Sequence, residues 1–413
     1  MTTMPQRRLE SLVLAALALY YTVKIVLVLG SPQVCGNFGM DYCAYWSAGR
    51  IIDEHGLAAA YSPDLLELYQ GHAHPGVNVP GSGVLGILYP PAFLLPFRYL
   101  SLIGPSASFL VYTFANLAAF VLYLRFFVEK MTGAPPSPRL LLWMLLSLPA
   151  FVNFREGQVN VWLAVCLGEF LRAIVSGRPW RAGFWMGGWL LKPQLLVLIV
   201  PLLAIRKAWR VLGGFGVSAG AVLAVSVALA GAEGMLNLAH IVELAARGGV
   251  SSNPSAMTNW RMAGALAASF ATPGTGWVVA IAGTVLTTVA ALYILGKRPI
   301  GDPRAAAIAL IGLSAATGLV AWHAHLHMAL ILIPPMLYLL MERRINRRVL
   351  LLWVLLPVAF QVLGYAAAYG INPGDRPDHF SQTLAFARGM PGFLLNLTLF
   401  GWTAVRLPRP AEG

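Results

Sequence analysis

Apolar runs of about twenty residues recur along this chain, at 11–30, 105–127, 211–231, 275–296 and 349–370. Each is long enough to cross a bilayer as a helix. No barrel-type alternation of apolar and polar residues appears, so the runs are helices that satisfy their backbone hydrogen bonds internally. Of the 413 residues, 58% are hydrophobic and only 11% charged, against about 25% charged in soluble domains. The first run is too long for a signal-peptide core and is read as a retained anchor.

The net charge of +13 reports topology rather than nucleic-acid binding. Lys and Arg gather in alternate loops: Arg7 and Arg8, Arg125 to Arg139, Arg172 to Arg181, Arg206 to Arg210, Lys297 to Arg304, Arg343 to Arg348, and Arg406 with Arg409. Positive charge marks the cytoplasmic side. Both termini are therefore expected there, in a multi-pass protein of the cell (inner or plasma) membrane. That charge map implies twelve crossings, near 10–30, 105–127, 139–152, 157–173, 182–191, 194–205, 211–231, 275–296, 305–322, 326–341, 349–370 and 388–406.

Two segments depart from simple spans. Segment 89–102 starts at Tyr89-Pro90-Pro91 and reads as a half-inserted helix. Segment 182–205 has basic residues at both ends and Lys192-Pro193 in its middle, so it reads as a broken hairpin, since proline removes a backbone donor. The long first outer loop, 31–88, is expected to hold juxtamembrane helices over 41–55 and 63–70, and 232–274 and 371–387 are further outer loops. The whole chain, 1–413, is expected to be one integral-membrane domain. Cys35 and Cys43 lie where a disulfide is chemically permitted. They are read as free thiols, because nothing in the sequence fixes the geometry.

Asp41, in Met40-Asp41-Tyr42-Cys43-Ala44-Tyr45-Trp46, is a carboxylate among aromatics at the outer boundary. It can cap a helix or take a proton from a hydroxyl. Lys192 lies too deep to reach the interface, so it either meets a phosphate or pairs with a buried carbonyl or acid. In Trp322-His323-Ala324-His325-Leu326-His327, helical spacing puts His323 and His327 on one face and His325 nearly opposite. Ligand hydrogen bonding, metal binding and interfacial packing all remain open for the three rings. Gln158 and Asn160 serve either as interhelical glue or as sugar ligands, and Arg261 suits bidentate phosphate binding.

The residues resemble those of glycosyltransferase family 87, of the GT-C superfamily, which includes polyprenol-phosphate-mannose-dependent α-mannosyltransferases. The resemblance rests on Asp41 with Tyr45, Tyr89-Pro90-Pro91, Gly157-Gln158-Val159-Asn160, Arg178-Pro179 leading to Ala182-Gly183, Lys192-Pro193, Asn259-Trp260-Arg261, and Trp322 with its histidines. It runs over roughly 40–340. The family often has an acid and adjacent histidines after the tryptophan, where this chain reads His-Ala-His-Leu-His.

The resemblance implies an all-α, polytopic helical bundle. It also implies transfer of a hexosyl, mannosyl by analogy, from a polyprenyl-phosphate donor to a lipid or glycan acceptor at the outer face, in an inverting reaction. Residues and resemblance together make Asp41 the base and give the donor phosphate to Lys192, Arg261, His323 and His327. Substrate contacts fall to Tyr45, Trp46, Glu156, Gln158, Asn160, Asn259, Trp322 and His325. Membrane lipids are the remaining partners; no cofactor, metal or nucleic acid is expected. The rival reading is a transporter or flippase of lipid-linked saccharides, which would favour a midplane site.

Overall fold

A computed structural model describes residues 4–29, 39–73, 85–246, 254–298, 300, 302–343, 345, 347–370 and 377–408. Among the described residues there are seventeen α-helices and no strand. In order they are α1 Met4–Leu29, α2 Met40–His55, α3 Pro63–Ala73, α4 Leu95–Leu100, α5 Pro105–Thr132 and α6 Pro138–Leu145. Next come α7 Leu148–Glu156, α8 Asn160–Val175, α9 Pro179–Met186, α10 Leu196–Ile205, α11 Trp209–Ala246 and α12 Trp260–Phe270. The last five are α13 Pro273–Lys297, α14 Pro303–Val320, α15 Ile333–Met341, α16 Arg347–Gly370 and α17 Pro377–Arg406.

Among the described residues, five segments are long and apolar enough to cross a membrane: Arg8–Val26, Pro105–Thr132, Trp209–Ala245, Pro273–Lys297 and Pro303–Val320. The chain is thus an all-helical integral membrane protein, but the twelve full crossings are not observed as such. Region 139–152 breaks between α6 and α7, where Ser147 turns extended (φ −72°, ψ 146°) and Pro149 enters the next first turn. Region 326–341 starts as a 3-10 turn, Leu326–Leu332, before α15. The expected outer loop 232–274 contains the end of α11 and all of α12.

The helix foreseen over 41–55 runs Met40–His55, and that over 63–70 continues to Ala73. Segment 89–102 is a short 3-10 turn, Pro91–Phe93, followed by α4. Segment 182–205 is interrupted at Lys192, whose extended backbone (φ −140°, ψ 79°) separates the 3-10 turns Gly187–Leu191 and Pro193–Leu195. Proline at 193 cannot donate to the preceding turn, which is the physical cause of the break.

Packing divides the chain into two compact units: Met1–Leu124 with Pro136–Gln158 and Ser226–Ser251, and Arg125–Pro135 with Val159–Val225 and Ser252–Gly413. In the first unit α2 lies against α4 so closely that a Cβ on Gly49 would sit 2.1 Å from the Phe97 carbonyl oxygen. Tyr21 stacks on Phe151, with ring centroids 4.3 Å apart. In the second, α12 and α13 meet at Gly264 and Gly276, where a Cβ on either would come within 2.6 Å of the other's carbonyl. Small residues give helices in lipid the close approach that hydrophobic burial gives them in water.

Candidate functional site

In the first unit, two glycines set the site. Gly39, at φ +63°, is the N-cap of α2, and Gly157, at φ +69°, ends α7. The Gly39 N–H donates to the Arg155 carbonyl at 2.7 Å, and a Cβ on Gly157 would stand 2.6 Å from that of Tyr42. Both positions need glycine for backbone sign as well as for space. They press the end of α7 against the first turn of α2 and bring the Gln158 amide to Asp41, whose carboxylate accepts from Nε2. Asp41 is not the cap, because Gly39 occupies that position. The capping alternative raised by the sequence is therefore corrected: the carboxylate lies one residue inside the helix start, where the dipole favours negative charge.

Aromatic rings surround this pair. Tyr45 and Tyr89 share a hydrogen bond of 2.7 Å between their hydroxyls, and the Tyr61 hydroxyl donates to the Tyr89 carbonyl at 2.6 Å. Burial above all, then the neighbouring Tyr89 and Asp41, raise the Tyr45 phenol well above its usual range, so it stays protonated. Tyr42 bonds Ser108 at 2.5 Å, and burial raises its pKa to about 12. The Trp46 indole donates to the Ile103 carbonyl at 2.9 Å, while Glu156 is ion-paired with Arg155. Cys43 is disulfide-bonded, correcting the expectation of a free thiol. Tertiary proximity decides that state, and Cys35 lies outside the described residues.

The second unit holds the cations and histidines. Lys192 is 7% exposed, in the broken backbone between the two 3-10 turns. Arg261 stacks over the Trp322 ring, 4.0 Å from its centroid, and donates to the Trp322 carbonyl at 3.1 Å. Trp277 lies nearly parallel to Trp322 at 6.0 Å. Asn259 is the N-cap of α12: its side chain accepts from the Arg261 and Met262 amides and donates to the Ala321 carbonyl at 2.6 Å. That capping role, which fixes both Arg261 and Trp322, occupies the side chain assigned to substrate.

The expected face shared by His323 and His327 does not form. Helix α14 ends at Val320 and His325 is extended (φ −126°, ψ 163°), so the helical spacing is lost. The rings instead follow one another: His323 to His325 at 4.7 Å and His325 to His327 at 5.7 Å between centroids. His327 is buried, its Nδ1 2.9 Å from Asn160 Nδ2, and His325 Nδ1 lies 3.3 Å from the Ala256 carbonyl. Burial, then His325, Lys192 and Arg261, push the His323 pKa down to about 3, leaving a neutral ring at ordinary pH.

The sequence profile of glycosyltransferase family 87 matches residues 88–322, more than half of the chain. The chain belongs to glycosyltransferase family 87. No curated protein and no solved structure matches it. Three neighbours of the site were missed from sequence. Gln194 donates to the His323 carbonyl at 3.3 Å; as an amide inside an apolar run it carried the same signal as Lys192. Trp277 had no local signal, since its stacking on Trp322 is tertiary. Trp189 is buried with its indole N–H unpartnered, a donor of the kind that bound ligands satisfy.

Proposed function

We propose that this membrane glycosyltransferase moves a hexosyl residue, mannosyl by family analogy, from a polyprenyl-phosphate donor to an acceptor hydroxyl at the outer face of the cell membrane. Asp41 is the base. It takes the acceptor proton as that oxygen attacks the anomeric carbon, and the carbon–oxygen bond to phosphate breaks with the electron pair leaving on the polyprenyl phosphate. One displacement inverts the anomeric centre. A phosphate leaves as a stabilised anion, so one carboxylate suffices where glycoside hydrolysis needs two.

The observation that carries this reading is the relief of Asp41 from capping, with the Gln158 amide orienting its carboxylate. Lys192 and Arg261 suit the phosphate, as point charge and as stacked, bidentate donor. Cations fixed in advance stabilise the leaving charge as the sugar becomes oxocarbenium-like. His323, neutral, serves as a hydrogen-bond donor, and the acceptor is a lipid or glycan. Incubating purified protein with polyprenyl-phosphate mannose and an acceptor tests the proposal. Release of polyprenyl phosphate in step with a new glycoside supports it, whereas movement of intact donor between leaflets without release points to a flippase.

A further inference from the structure

At the far end of α14 from the histidines lies an open cavity of about 460 Å³, lined by residues including Asp302, Arg304, Tyr338, Glu342, Trp402 and Arg406. Helix α14 has 18 residues, which at 1.5 Å each separates its ends by about 27 Å. The cavity is therefore not part of the Trp322–His327 cluster. It sits at the mouth of a membrane-length helix, among the basic loops, where α14, α15 and α17 come together. Apolar Ile308 and Leu339 also line it, with Tyr338 and Trp402, the aromatic types that favour the headgroup level of a bilayer.

The charges on its wall balance, two acids against two arginines, but their commitments differ. Asp302 caps α14 through one oxygen, accepting from the Arg304 and Ala305 amides at 2.8 and 2.9 Å. Glu342 accepts from Arg304 at 3.1 Å. Arg406, exposed in the last turn of α17, makes no hydrogen bond or ion pair among the described residues. An arginine at a helix end can simply snorkel to water. Snorkelling does not require a cavity behind the guanidinium, and this volume lies in the range of about 300–1,000 Å³ typical of small-molecule sites.

We propose that this cavity binds the headgroup of a zwitterionic phospholipid bearing a primary ammonium, with its phosphate on Arg406 and its ammonium towards Glu342 and Asp302. A single anionic headgroup would leave both carboxylates facing its charge. A choline headgroup cannot donate hydrogen bonds to them. The acyl chains would run along the partly exposed Ile308 and Trp402. This assignment is independent of the transfer reaction, since it uses none of the residues proposed for it.

Native mass spectrometry of the full chain in detergent tests it, by titration with phosphatidylethanolamine, phosphatidylglycerol and phosphatidylcholine of identical chains. Phosphatidylethanolamine should give the most persistent adduct. Arg406→Gln should lower its occupancy about tenfold, as expected for a lost charge-assisted bond, and Arg406→Lys should restore most of it. Glu342→Gln should abolish the preference over phosphatidylcholine. Arg210→Gln, at another basic loop, should change nothing. Equal adducts from all three lipids, an unaffected Arg406→Gln, a preference for phosphatidylglycerol, or displacement of the lipid by millimolar inorganic phosphate would each overturn the assignment.

Discussion

The carboxylate cluster around Asp41 and the cation cluster around Lys192 and Arg261 are built in opposite ways. Asp41 stands in the first turn of a regular helix, locked from outside by two left-handed glycines and a ring of tyrosines. The cations and histidines stand where helices stop: Lys192 in an extended residue between 3-10 turns, the histidines in an unwound stretch after α14, Arg261 on a capped first turn. The proposed base must be aimed, and a regular helix pressed by tight packing aims it. The proposed phosphate site needs donors around it, and broken backbone supplies the room.

The largest effect should come from the aimed group. Asp41→Asn keeps the shape and an acceptor for Gln158, and Gly39 remains the cap, so melting temperature should change little. Loss of a general base should cost about 10²–10⁴ in rate. Transfer within threefold of wild type would remove Asp41 from the reaction and leave the comparison without its first term.

Next is the packing that aims it. Gly157→Ala places a Cβ on Tyr42 at a positive φ, for an expected loss of about 1–3 kcal/mol and a fall in transfer as Gln158 shifts. Gly177, also left-handed at φ +64° but with open space where a Cβ would go, is the control, at about 1 kcal/mol. Equal losses at the two glycines would mean that the α7–α2 contact does not hold the site.

How far the site could be read from sequence follows the same division. The spans, the Pro193 break and the helix from 40 to 55 announce themselves through hydropathy, proline chemistry and glycine punctuation, all local properties. The Asp41–Gln158 bond joins residues far apart in sequence through two glycines, and no local pattern encodes that approach. The histidine face failed because periodicity was extended past Val320, where α14 had already ended. Asn259 obeys a local capping rule, yet it was read as a ligand because its neighbours Trp260 and Arg261 invited a functional motif.

On the cation side, Lys192→Met should weaken donor binding about tenfold, the worth of a charge-assisted contact, with turnover falling alongside it. Donor affinity and melting temperature measured on one sample separate the roles. Unchanged affinity with a large drop in melting temperature would make Lys192 an architectural partner of a buried acid.

A smaller effect concerns His323. Burial pushes its folded pKa down to about 3, below the ordinary imidazole value of about 6.5. Between those values the unfolded chain binds a proton that the folded one does not. Stability is therefore full above pH 6.5 and lost as pH falls towards 3, at most about 1.4 kcal/mol per pH unit. Melting curves of wild type and His323→Asn from pH 7.5 to 4.5 should diverge in slope. Parallel curves would show the ring already solvated and the cation cluster looser than described.

The smallest expected effect is that of a chelator. If Lys192 and Arg261 neutralise the leaving phosphate as proposed, they fill the role often played by a divalent ion, and EDTA should leave transfer unchanged within twofold. The opposing case is concrete. A neutral His323 in sequence with His325 and His327 is also the protonation state that a metal requires. Loss of transfer in EDTA, restored by one added metal, would turn the histidines into ligands and reduce Lys192 and Arg261 to an outer ring. Loss that no metal restores would instead point to damage unrelated to the phosphate.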